Sequence, residues 1–298
     1  MKKRYLKKEY LEKYELVKQL YATGNYKLID LEKITDVKYY TISEILKKAG
    51  FKINPSGKID LNSDIFEVID NEEKAYWLGF LYADGCVYKC SKGRYRFELG
   101  LKESDLDHIQ KFKDFIQSKH EIKYRKNTKS YRIMFGDDKF CSDLIKLGCT
   151  ERKSLTLKFP DFNQVPDKYL KHFIRGYVEG DGSFNVYARN NKKNCIFSLI
   201  GTKDFLSELS KRTNIPIISY HKDKRHAENT FFISYSGNFC YQILQFLYEN
   251  SNVYLNRKYE TYSKIKNMVE NKEILNWKNK NSKNSHNLIK LEINAECL

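Results

Sequence analysis

Apolar residues recur along the chain with two different periods, and each period predicts one type of element. Spacings of three and four residues predict helices, because they place side chains on one helical face. Strict alternation predicts half-buried strands with one apolar and one polar face. The helical spacing covers residues 9–22, 28–34, 41–48, 70–84, 105–118, 139–147, 167–181, 204–213 and 238–249. The alternating pattern covers residues 94–102, 130–135, 183–190, 195–201, 217–222 and 230–235.

The order of these elements repeats once in the central part of the chain. In the first copy, turn signals at residues 91–93 and 126–128 predict hairpins, which add one strand before residue 94 and one before residue 130. Each copy then reads α-β-β-α-β-β-α, which predicts an α+β fold of two pseudo-symmetric αββαββα repeats. A turn cluster at residues 54–57 reads NPSG and interrupts the helical periodicity. We therefore predict five regions: a helical domain at 1–53, a linker at 54–69, a first repeat at 70–160, a second repeat at 161–270 and a C-terminal tail at 271–298.

Two short helices separated by a tight turn near the N-terminus are typical of a helix-turn-helix. Such a motif places the beginning of its last helix in the major groove of DNA. The residues presented to DNA would be Lys38, Tyr39, Tyr40, Thr41 and Ser43. A small three-helix bundle without a DNA-binding role is the alternative interpretation.

The helix that opens each repeat ends in a similar segment of nine residues. Residues 77–85 read WLGFLYADG, and residues 174–182 read IRGYVEGDG. Small residues four positions apart give each helix a face without bulk, so that two such helices can pack closely. If they pack on each other, Asp84 and Asp181 lie side by side. Two facing carboxylates repel unless a cation lies between them, and oxygen ligands suit Mg²⁺ or Mn²⁺.

The charge of the chain narrows the choice of partner. The 54 Lys and Arg residues exceed the 38 Asp and Glu residues, which gives a formal net charge of +16. This excess favours a polyanionic partner such as nucleic acid. We expect no membrane-spanning helix, because the apolar runs are short, and no secretory signal at the N-terminus. Seven Cys residues without an export signal are typical of reduced thiols, so we expect an intracellular, cytoplasmic protein.

On these two nine-residue segments, the sequence resembles the LAGLIDADG homing endonucleases in their single-chain form with two motifs. The resemblance extends over about residues 70–268, and the αββαββα order agrees with it. The eighth motif residue in that family is the catalytic, metal-binding acid, which implies this role for Asp84 and Asp181. The resemblance also implies that the carbonyl groups of the preceding residues, Ala83 and Gly180, face the metal.

The sixth motif position departs from the family pattern in one copy. The family usually has an acidic residue there. The second copy has Glu179, but the first has Tyr82. Because the sixth residue is not the family's metal ligand, the first motif is divergent without losing its catalytic acid.

The family also has a basic residue near each active site. The candidates are Lys153, in the segment ERKS at 151–154, and Lys258, in the segment LNRKY at 255–259. The alternative for each lysine is a pairing with a helix end or with a DNA phosphate. Lys102 and Lys203, at the junctions between strand and helix, are the second choice.

The resemblance further implies that the two sheets form a saddle over double-stranded DNA. Strands of about ten residues span roughly 33 Å, which corresponds to about ten base pairs for each sheet. The two sheets together would therefore cover a target of some twenty base pairs or more. The polar faces would present a set of tyrosine, arginine and lysine side chains to the DNA. These residues are Tyr88, Arg94, Arg96, Lys123, Arg125, Arg132, Arg189, Tyr220 and Lys222, with Lys102 and Lys203 beside them.

The resemblance therefore implies a monomeric, Mg²⁺-dependent homing endonuclease that hydrolyses phosphodiester bonds on both DNA strands and leaves short 3′ overhangs. Two alternatives on the same fold remain open. One is a non-catalytic DNA-binding regulator, and the other is a maturase that binds intron RNA. The abundance of Lys, Asn, Ile and Tyr hints at an A+T-rich source such as a phage or another mobile element.

Overall fold

The computed structural model of the chain describes residues 2–24, 26, 28–51, 61–90, 93–151, 153–189, 192–222, 229–274, 291 and 293. The chain divides into two compact units, residues 1–60 and residues 61–298. Within the described part of the chain, no helix combines the length and the apolar character of a membrane span.

The first unit consists of three helices: α1 (Lys2–Ala22), α2 (Leu28–Thr35) and α3 (Tyr39–Lys48). Helix α1 begins well before the predicted residue 9. One apolar cluster holds the three helices together, and it contains Val17, Leu31, Ile42 and Leu46. Lys47 and Lys48 lie in the last turn of α3, where cations favour the negative end of the helix dipole.

The second unit contains two copies of the same arrangement, which confirms the predicted α+β fold class. The helices of the first copy are α4 (Glu72–Asp84), α5 (Leu106–Phe115), α6 (Asp138–Lys146) and α7 (Lys153–Thr156), and its strands are β1 (Gly85–Lys89), β2 (Tyr95–Lys102), β3 (Lys123–Arg125) and β4 (Ser130–Phe135). The helices of the second copy are α8 (Asp167–Asp181), α9 (Lys203–Thr213), α10 (Asn238–Tyr248) and α11 (Asn256–Glu270), and its strands are β5 (Gly182–Arg189), β6 (Lys192–Gly201), β7 (His221–Lys222) and β8 (Phe231–Ser236).

Each copy forms a four-stranded antiparallel sheet with the same topology. The strand orders are β1-β2-β4-β3 and β5-β6-β8-β7. Alternation along the strands buries one face of each sheet, for example through Phe97, Leu99 and Ile133 in the first copy. The opposite face of each sheet carries the polar side chains of the alternating pattern.

Local signals explain the boundaries of the two helices that open the repeats. The side chain of Asn71 caps α4 by accepting a hydrogen bond of 2.9 Å from the backbone N–H of Lys74. Both helices pass directly into a strand, at Gly85 and Gly182. An added Cβ would stand 2.8 Å from the Leu81 carbonyl oxygen at Gly85 and 2.5 Å from the Val178 carbonyl oxygen at Gly182. Glycine is therefore required at the ninth motif position, because the strand leaves the helix too sharply for a side chain.

The second unit extends beyond the limits that the sequence pattern suggests. Residues 54–69 are predicted to form a linker, but Phe66 and Ile69 are buried in the main core. Residues 52–60 lie outside the described part of the chain. In the predicted tail, Ile274 is buried and forms a parallel bridge with Lys193. These apolar residues join the core although no regular period surrounds them.

Two further elements differ from the predicted pattern. The strand predicted at residues 217–222 is reduced to His221 and Lys222, which follow an irregular segment that contains Pro216. Helix α11 is not predicted at all. Its buried residues are Lys258, Tyr262 and Ile265, a narrow stripe on a helix rich in polar residues.

Candidate functional site

The centre of the second unit is the contact between α4 and α8, which we call the seam. A Cβ added at Gly79 would collide with the carbonyl oxygen of Phe173 on α8. A Cβ added at Gly176 would collide with the carbonyl oxygen of Tyr76 on α4. The two glycines therefore allow the backbones of both helices to touch, as the spacing of small residues predicts.

The same close approach continues to the C-terminal ends of the two helices. A Cβ added at Gly180 would collide with the Cβ of Ala83 and would stand 3.0 Å from the Oδ2 atom of Asp84. The carboxyl group of Asp84 thus reaches across the seam to the residue that precedes Asp181. Both motif acids lie at the same end of the seam.

The proximity of the two acids is also visible in their electrostatics. Asp84 is an exposed residue, but partial desolvation of its carboxyl group at the seam and the charge of Asp181 raise its pKa from 3.8 to about 6. The cations Lys153 and Arg257 act in the opposite direction on the same pKa. Burial and the Asp181 carboxylate also raise the pKa of Tyr177 well above its usual value, while the Tyr177 hydroxyl donates a hydrogen bond of 2.9 Å to the Ile200 carbonyl oxygen.

Lys153 and Lys258 occupy equivalent places in the two repeats. The Nζ atom of Lys153 donates a hydrogen bond to the carbonyl oxygen of Gly85, and that of Lys258 donates one to the carbonyl oxygen of Gly182. Each lysine is therefore anchored on the residue that follows a motif acid. Burial and the adjacent cation Arg257 lower the pKa of Lys258 to about 8. Lys153 is only half-buried.

Arg257 and Asp105 belong to the site but are absent from the sequence prediction. Arg257 Nε donates hydrogen bonds of 2.9 and 3.0 Å to the two carboxylate oxygens of Asp105, which immediately precedes α5. The adjacent Asn256 donates a hydrogen bond of 2.6 Å to Asp107. The N-terminal turn of α11 in the second repeat is thus bound to the first repeat, and this contact fixes the backbone that carries Lys258.

A repeated dipeptide was the available sequence signal for Arg257. An Arg-Lys pair occurs at residues 152–153 and again at residues 257–258. Arg152 lies outside the described residues. In the first repeat, the neighbouring Glu151 accepts a hydrogen bond of 2.7 Å from the backbone N–H of Lys89. A segment that ends in a site lysine is therefore anchored in both repeats.

The residues at the sixth motif position anchor the two chain segments that lead to Lys153 and Lys258. Tyr82 is buried, and its hydroxyl donates a hydrogen bond to the carbonyl oxygen of Leu147. Glu179 is buried and accepts hydrogen bonds from the Tyr76 hydroxyl and, at 2.7 Å, from the backbone N–H of Leu255. Each side chain holds the chain shortly before a site lysine, so the departure from an acid at Tyr82 preserves a structural role.

Glu179 is part of a buried polar cluster beside the seam. Arg175 lies with its guanidinium 5.1 Å from the centre of the Tyr76 ring and donates a hydrogen bond of 3.2 Å to the Val253 carbonyl oxygen. The Tyr76 hydroxyl also lies 3.0 Å from Nε2 of His108. Burial lowers the pKa of His108 to about 3, so this histidine is neutral and serves as a hydrogen-bonding partner.

The donor set at the end of the seam fits a hard divalent cation. It offers the carboxylates of Asp84 and Asp181, whose mutual repulsion is visible in the raised pKa of Asp84. A cation between them would remove that repulsion. Among the described residues, no group of three or more His, Cys, Asp and Glu side chains forms a metal site. Any metal at the seam would therefore rely on the two acids, on the backbone oxygens that are predicted to face it, those of Ala83 and Gly180, and on non-protein ligands.

The residues predicted to contact DNA from α3 divide between its two faces. Tyr40 is 71% exposed, and Lys38 is also exposed. Tyr39 and Thr41 are half-buried. Ser43 requires a correction, because it is 9% exposed and lies on the face that also buries Ile42. Its side chain packs inside the three-helix unit instead of facing outward.

The first sheet presents most of the predicted DNA-contacting residues on its outward face. The strand register places these side chains opposite one another, away from the buried face: Tyr88, Arg96, Lys102, Lys123, Arg125 and Arg132. Arg94 is exposed immediately before β2. Glu98 lies among these residues, 3.5 Å from Arg132 and 3.8 Å from Arg125.

The second sheet agrees less well with the predicted set. Lys222 pairs with Phe231, on the same register face as the buried residues Ile233 and Tyr235, although Lys222 itself is exposed at the edge. Tyr220 packs against the ring of Phe231, and the Nζ atom of Lys203 lies 5.6 Å from the centre of the Tyr220 ring. The side chain of Arg189 lies outside the described residues.

No family model matches the chain, and no curated protein matches it. Among solved structures, the chain is similar to the I-LtrWI LAGLIDADG homing endonuclease bound to target DNA, with 12% identity, a TM-score of 0.45, and 71% of this chain and 92% of that chain covered. It is also similar to the I-SmaMI LAGLIDADG homing endonuclease bound to cleaved DNA, with 16% identity, a TM-score of 0.46, and coverages of 69% and 91%. A third similar structure is I-SmaMI bound to an uncleaved DNA target in the presence of calcium ions. The identity is 16% and the TM-score 0.46, with 66% of this chain and 92% of that chain covered. These similarities are weak.

Proposed function

We propose that the chain is a site-specific DNA endonuclease that cuts both strands of its target with a divalent metal ion. The observation that supports this most directly is the seam, where close helix packing brings Asp84 and Asp181 to one place. Each acid is followed by a glycine whose carbonyl oxygen binds a lysine from its own repeat. Such a duplicated arrangement of acid and base suits a reaction that is carried out twice, once on each strand.

The acidic and the basic residues of the site have different roles in the proposed reaction. At neutral pH, the Asp84 carboxyl group, with its pKa raised to about 6, is mostly ionised, so that both acids are available as oxygen ligands. These two acids would hold Mg²⁺, or Mn²⁺ in its place, which would stabilise the negative charge on the phosphodiester as a Lewis acid. Lys153 and Lys258 are held near the scissile position, where an ammonium group attracts the phosphate. Arg257, held by Asp105, adds a further cation beside Lys258.

The exposed surfaces of the protein support DNA as the substrate. The outward face of the first sheet is basic, and the exposed Lys38 and Tyr40 lie at the beginning of the last helix of the N-terminal unit. We assign a helix-turn-helix role to α2 and α3, which would lengthen a target of some twenty base pairs. Since both halves of the site belong to one chain, a monomer is sufficient for double-strand cleavage. The products would carry short 3′ overhangs, and the protein would act in the intracellular compartment that holds its DNA.

A cleavage assay with matched variants tests this proposal. Purified protein is incubated with a randomised library of DNA duplexes and Mg²⁺, and the cut ends are sequenced. We expect a defined site whose cleavage is lost in Asp84→Asn and in Asp181→Asn, while DNA binding remains. Asp114→Asn is the control, because Asp114 is an exposed acid whose hydrogen bond comes from Gln110, one turn away on α5. Unchanged cutting by both motif variants would refute the assignment.

Two other functions on the same fold would give different results in this assay. Tight and selective DNA binding without cleavage in Mg²⁺ or Mn²⁺ would indicate a DNA-binding regulator. Acceleration of intron splicing by the protein would indicate an RNA maturase. The paired acids at the seam favour the nuclease, because neither alternative requires two facing carboxylates.

A further inference from the structure

Each repeat has a buried polar residue immediately before the helix that follows its second strand. In the first repeat this residue is Asp105, which precedes α5, and in the second repeat it is Thr202, which precedes α9. Asp105 is 2% exposed and Thr202 is 3% exposed. Because buried polar groups require hydrogen-bonding partners, the partners of these two residues indicate what each position does.

The hydroxyl of Thr202 reaches the chain segment that carries Lys153. It donates a hydrogen bond of 2.7 Å to the carbonyl oxygen of Leu157, the residue that follows α7. It also accepts a hydrogen bond of 3.1 Å from the backbone N–H of Phe205 and so caps α9. The ring of Phe205 packs on the ring of Phe159, with the ring centres 5.2 Å apart. The end of α7 in the first repeat is therefore bound to the beginning of α9 in the second.

The contact of Arg257 with Asp105 joins the same parts of the molecule in the opposite direction. There the second repeat supplies the segment with the lysine, and the first repeat supplies the residue that precedes the helix. Lys111 on α5 adds a hydrogen bond of 3.1 Å to the carbonyl oxygen of Tyr254 in the same segment. Each site lysine thus lies on a segment that is tied to the opposite repeat, while the lysine itself binds a glycine of its own repeat.

We propose that Thr202 of the second repeat is a positioning residue for Lys153 of the first, so that each lysine acts in a geometry set by the opposite repeat. The inference rests on the proposed function, since it assumes that Lys153 serves the cleavage of one DNA strand. It goes beyond that function, because it states which residue of the second repeat controls the reaction on the strand served by the first.

The shortness of α7 explains why one hydrogen bond at Leu157 controls the lysine. Helix α7 has only four residues, and a single helical turn is not stable without contacts outside it. Before this turn, Glu151 accepts a hydrogen bond of 2.7 Å from the backbone N–H of Lys89. After it, the carbonyl of Leu157 is bound by Thr202. Loss of the second bond leaves the carbonyl of a buried residue unsatisfied, so that the turn shifts and displaces the ammonium group of Lys153.

A strand-resolved cleavage assay tests the inference on the full chain. The target duplex recovered from the randomised library carries a different fluorescent label on each strand, and the cleavage rate of each strand is measured with Mg²⁺ and an excess of protein. Lys153→Met first identifies the strand that depends on Lys153. Thr202→Val and Thr202→Asp both remove the donor to Leu157, and Thr202→Asp retains an acceptor that can cap α9. Thr202→Ser keeps both the donor and the acceptor.

We expect Thr202→Val and Thr202→Asp to slow the strand that depends on Lys153 by roughly 10- to 100-fold and to leave the other strand at the wild-type rate. Thr202→Ser should cut both strands at the wild-type rates. Combined with Lys153→Met, Thr202→Val should add no further slowing, because it acts through that lysine. Thr213→Val is the control and should change neither rate. Thr213 is a buried threonine at the end of α9, and its hydroxyl donates a hydrogen bond of 2.7 Å to the Leu209 carbonyl oxygen of the same helix.

The inference is overturned if Thr202→Val and Thr202→Asp change neither rate, slow both strands equally or slow only the other strand. It is also overturned by independent, additive losses in the double variant, or by an equal loss in Thr213→Val, which would indicate a general weakening of α9. Equal slowing of both strands by Lys153→Met would remove the assignment of one lysine to each strand, and the inference with it. A wild-type protein that cuts neither strand would instead refute the proposed function itself.

Discussion

Replacement of Gly176 by alanine inserts one methyl group into the seam between α4 and α8. The new Cβ would stand 2.7 Å from the backbone nitrogen of Phe80 and 3.0 Å from the carbonyl carbon of Tyr76, and closer still to the Tyr76 oxygen. All three atoms belong to the backbone of a buried helix, so they cannot rotate away. The helices must therefore separate by roughly 1 Å to restore ordinary contact distances.

Two opposing effects determine how much Gly176→Ala changes the free energy of unfolding. Overpacking in a buried contact costs up to about 3 kcal/mol, and the backbone character of this clash places it at the upper end. Alanine recovers about 1 kcal/mol, because it is the better helix former. We expect a net loss of about 2 kcal/mol in the free energy of unfolding. The same displacement moves Asp181 relative to Asp84, and misplacement of reacting groups by about 1 Å reduces rates by roughly 100-fold.

Urea unfolding measures the stability term, and cleavage of the selected target measures the rate. Gly136→Ala is the control, since its Cβ would meet no atom closer than 3.6 Å. This control should retain wild-type stability and activity. If Gly176→Ala unfolds at the same urea concentration as the wild type, or at a higher one, then helix propensity dominates and the close approach of the two backbones is refuted.

Three further predictions concern the motif acid Asp84, the ion pair between Arg257 and Asp105 that joins the repeats, and the N-terminal unit. The pKa of the Asp84 carboxyl group is about 6 in the native state and 3.8 in the unfolded state, so the native state binds this proton more tightly. The native state therefore loses stability as the pH rises from about 4 to 6. Asp84→Asn in EDTA should therefore be more stable than the wild type by about 1 kcal/mol at pH 8, allowing for solvent screening, and equally stable below pH 4 in urea titrations. Arg257→Gln and Asp105→Asn should each slow cleavage by about tenfold without changing DNA affinity. The double variant should be no slower than either single variant, because both changes break the same ion pair. Additive losses in the double variant would contradict this shared role. Tyr40→Ala should weaken DNA binding by about tenfold in a titration, whereas an equal loss in Ser43→Ala would contradict the buried position of Ser43.

Local patterns in the sequence predict most of the regular elements but not all of their lengths. Alternation identifies β2 and β4 because both are paired on two sides, so that one complete face of each is buried. The edge strands are less well predicted. Strand β7 contains only two residues, because the preceding segment at 215–220 runs irregularly and carries its buried contacts through Ile215. Helix α11 escapes prediction because only a narrow stripe of its surface is apolar.

The acids of the site were predictable, and the groups that position its lysines were not. Asp84 and Asp181 follow from a local pattern, since small residues four positions apart indicate close packing before any fold is known. The pairing of Arg257 with Asp105 joins residues 152 positions apart in different repeats. No local period indicates which acid of the first repeat meets which base of the second, because that choice depends on how the repeats pack across the seam.

The two repeats share the contacts around the motif acids but differ in the outward residues of their sheets. In the proposed reaction, the two strands present the same phosphodiester bond. Both repeats have an aspartate followed by a glycine whose carbonyl oxygen accepts a hydrogen bond from a lysine. The bases on either side of a cut are under no such constraint. A duplicated fold within one chain therefore lets the outward residues of each sheet change independently, while the seam fixes the acids for both.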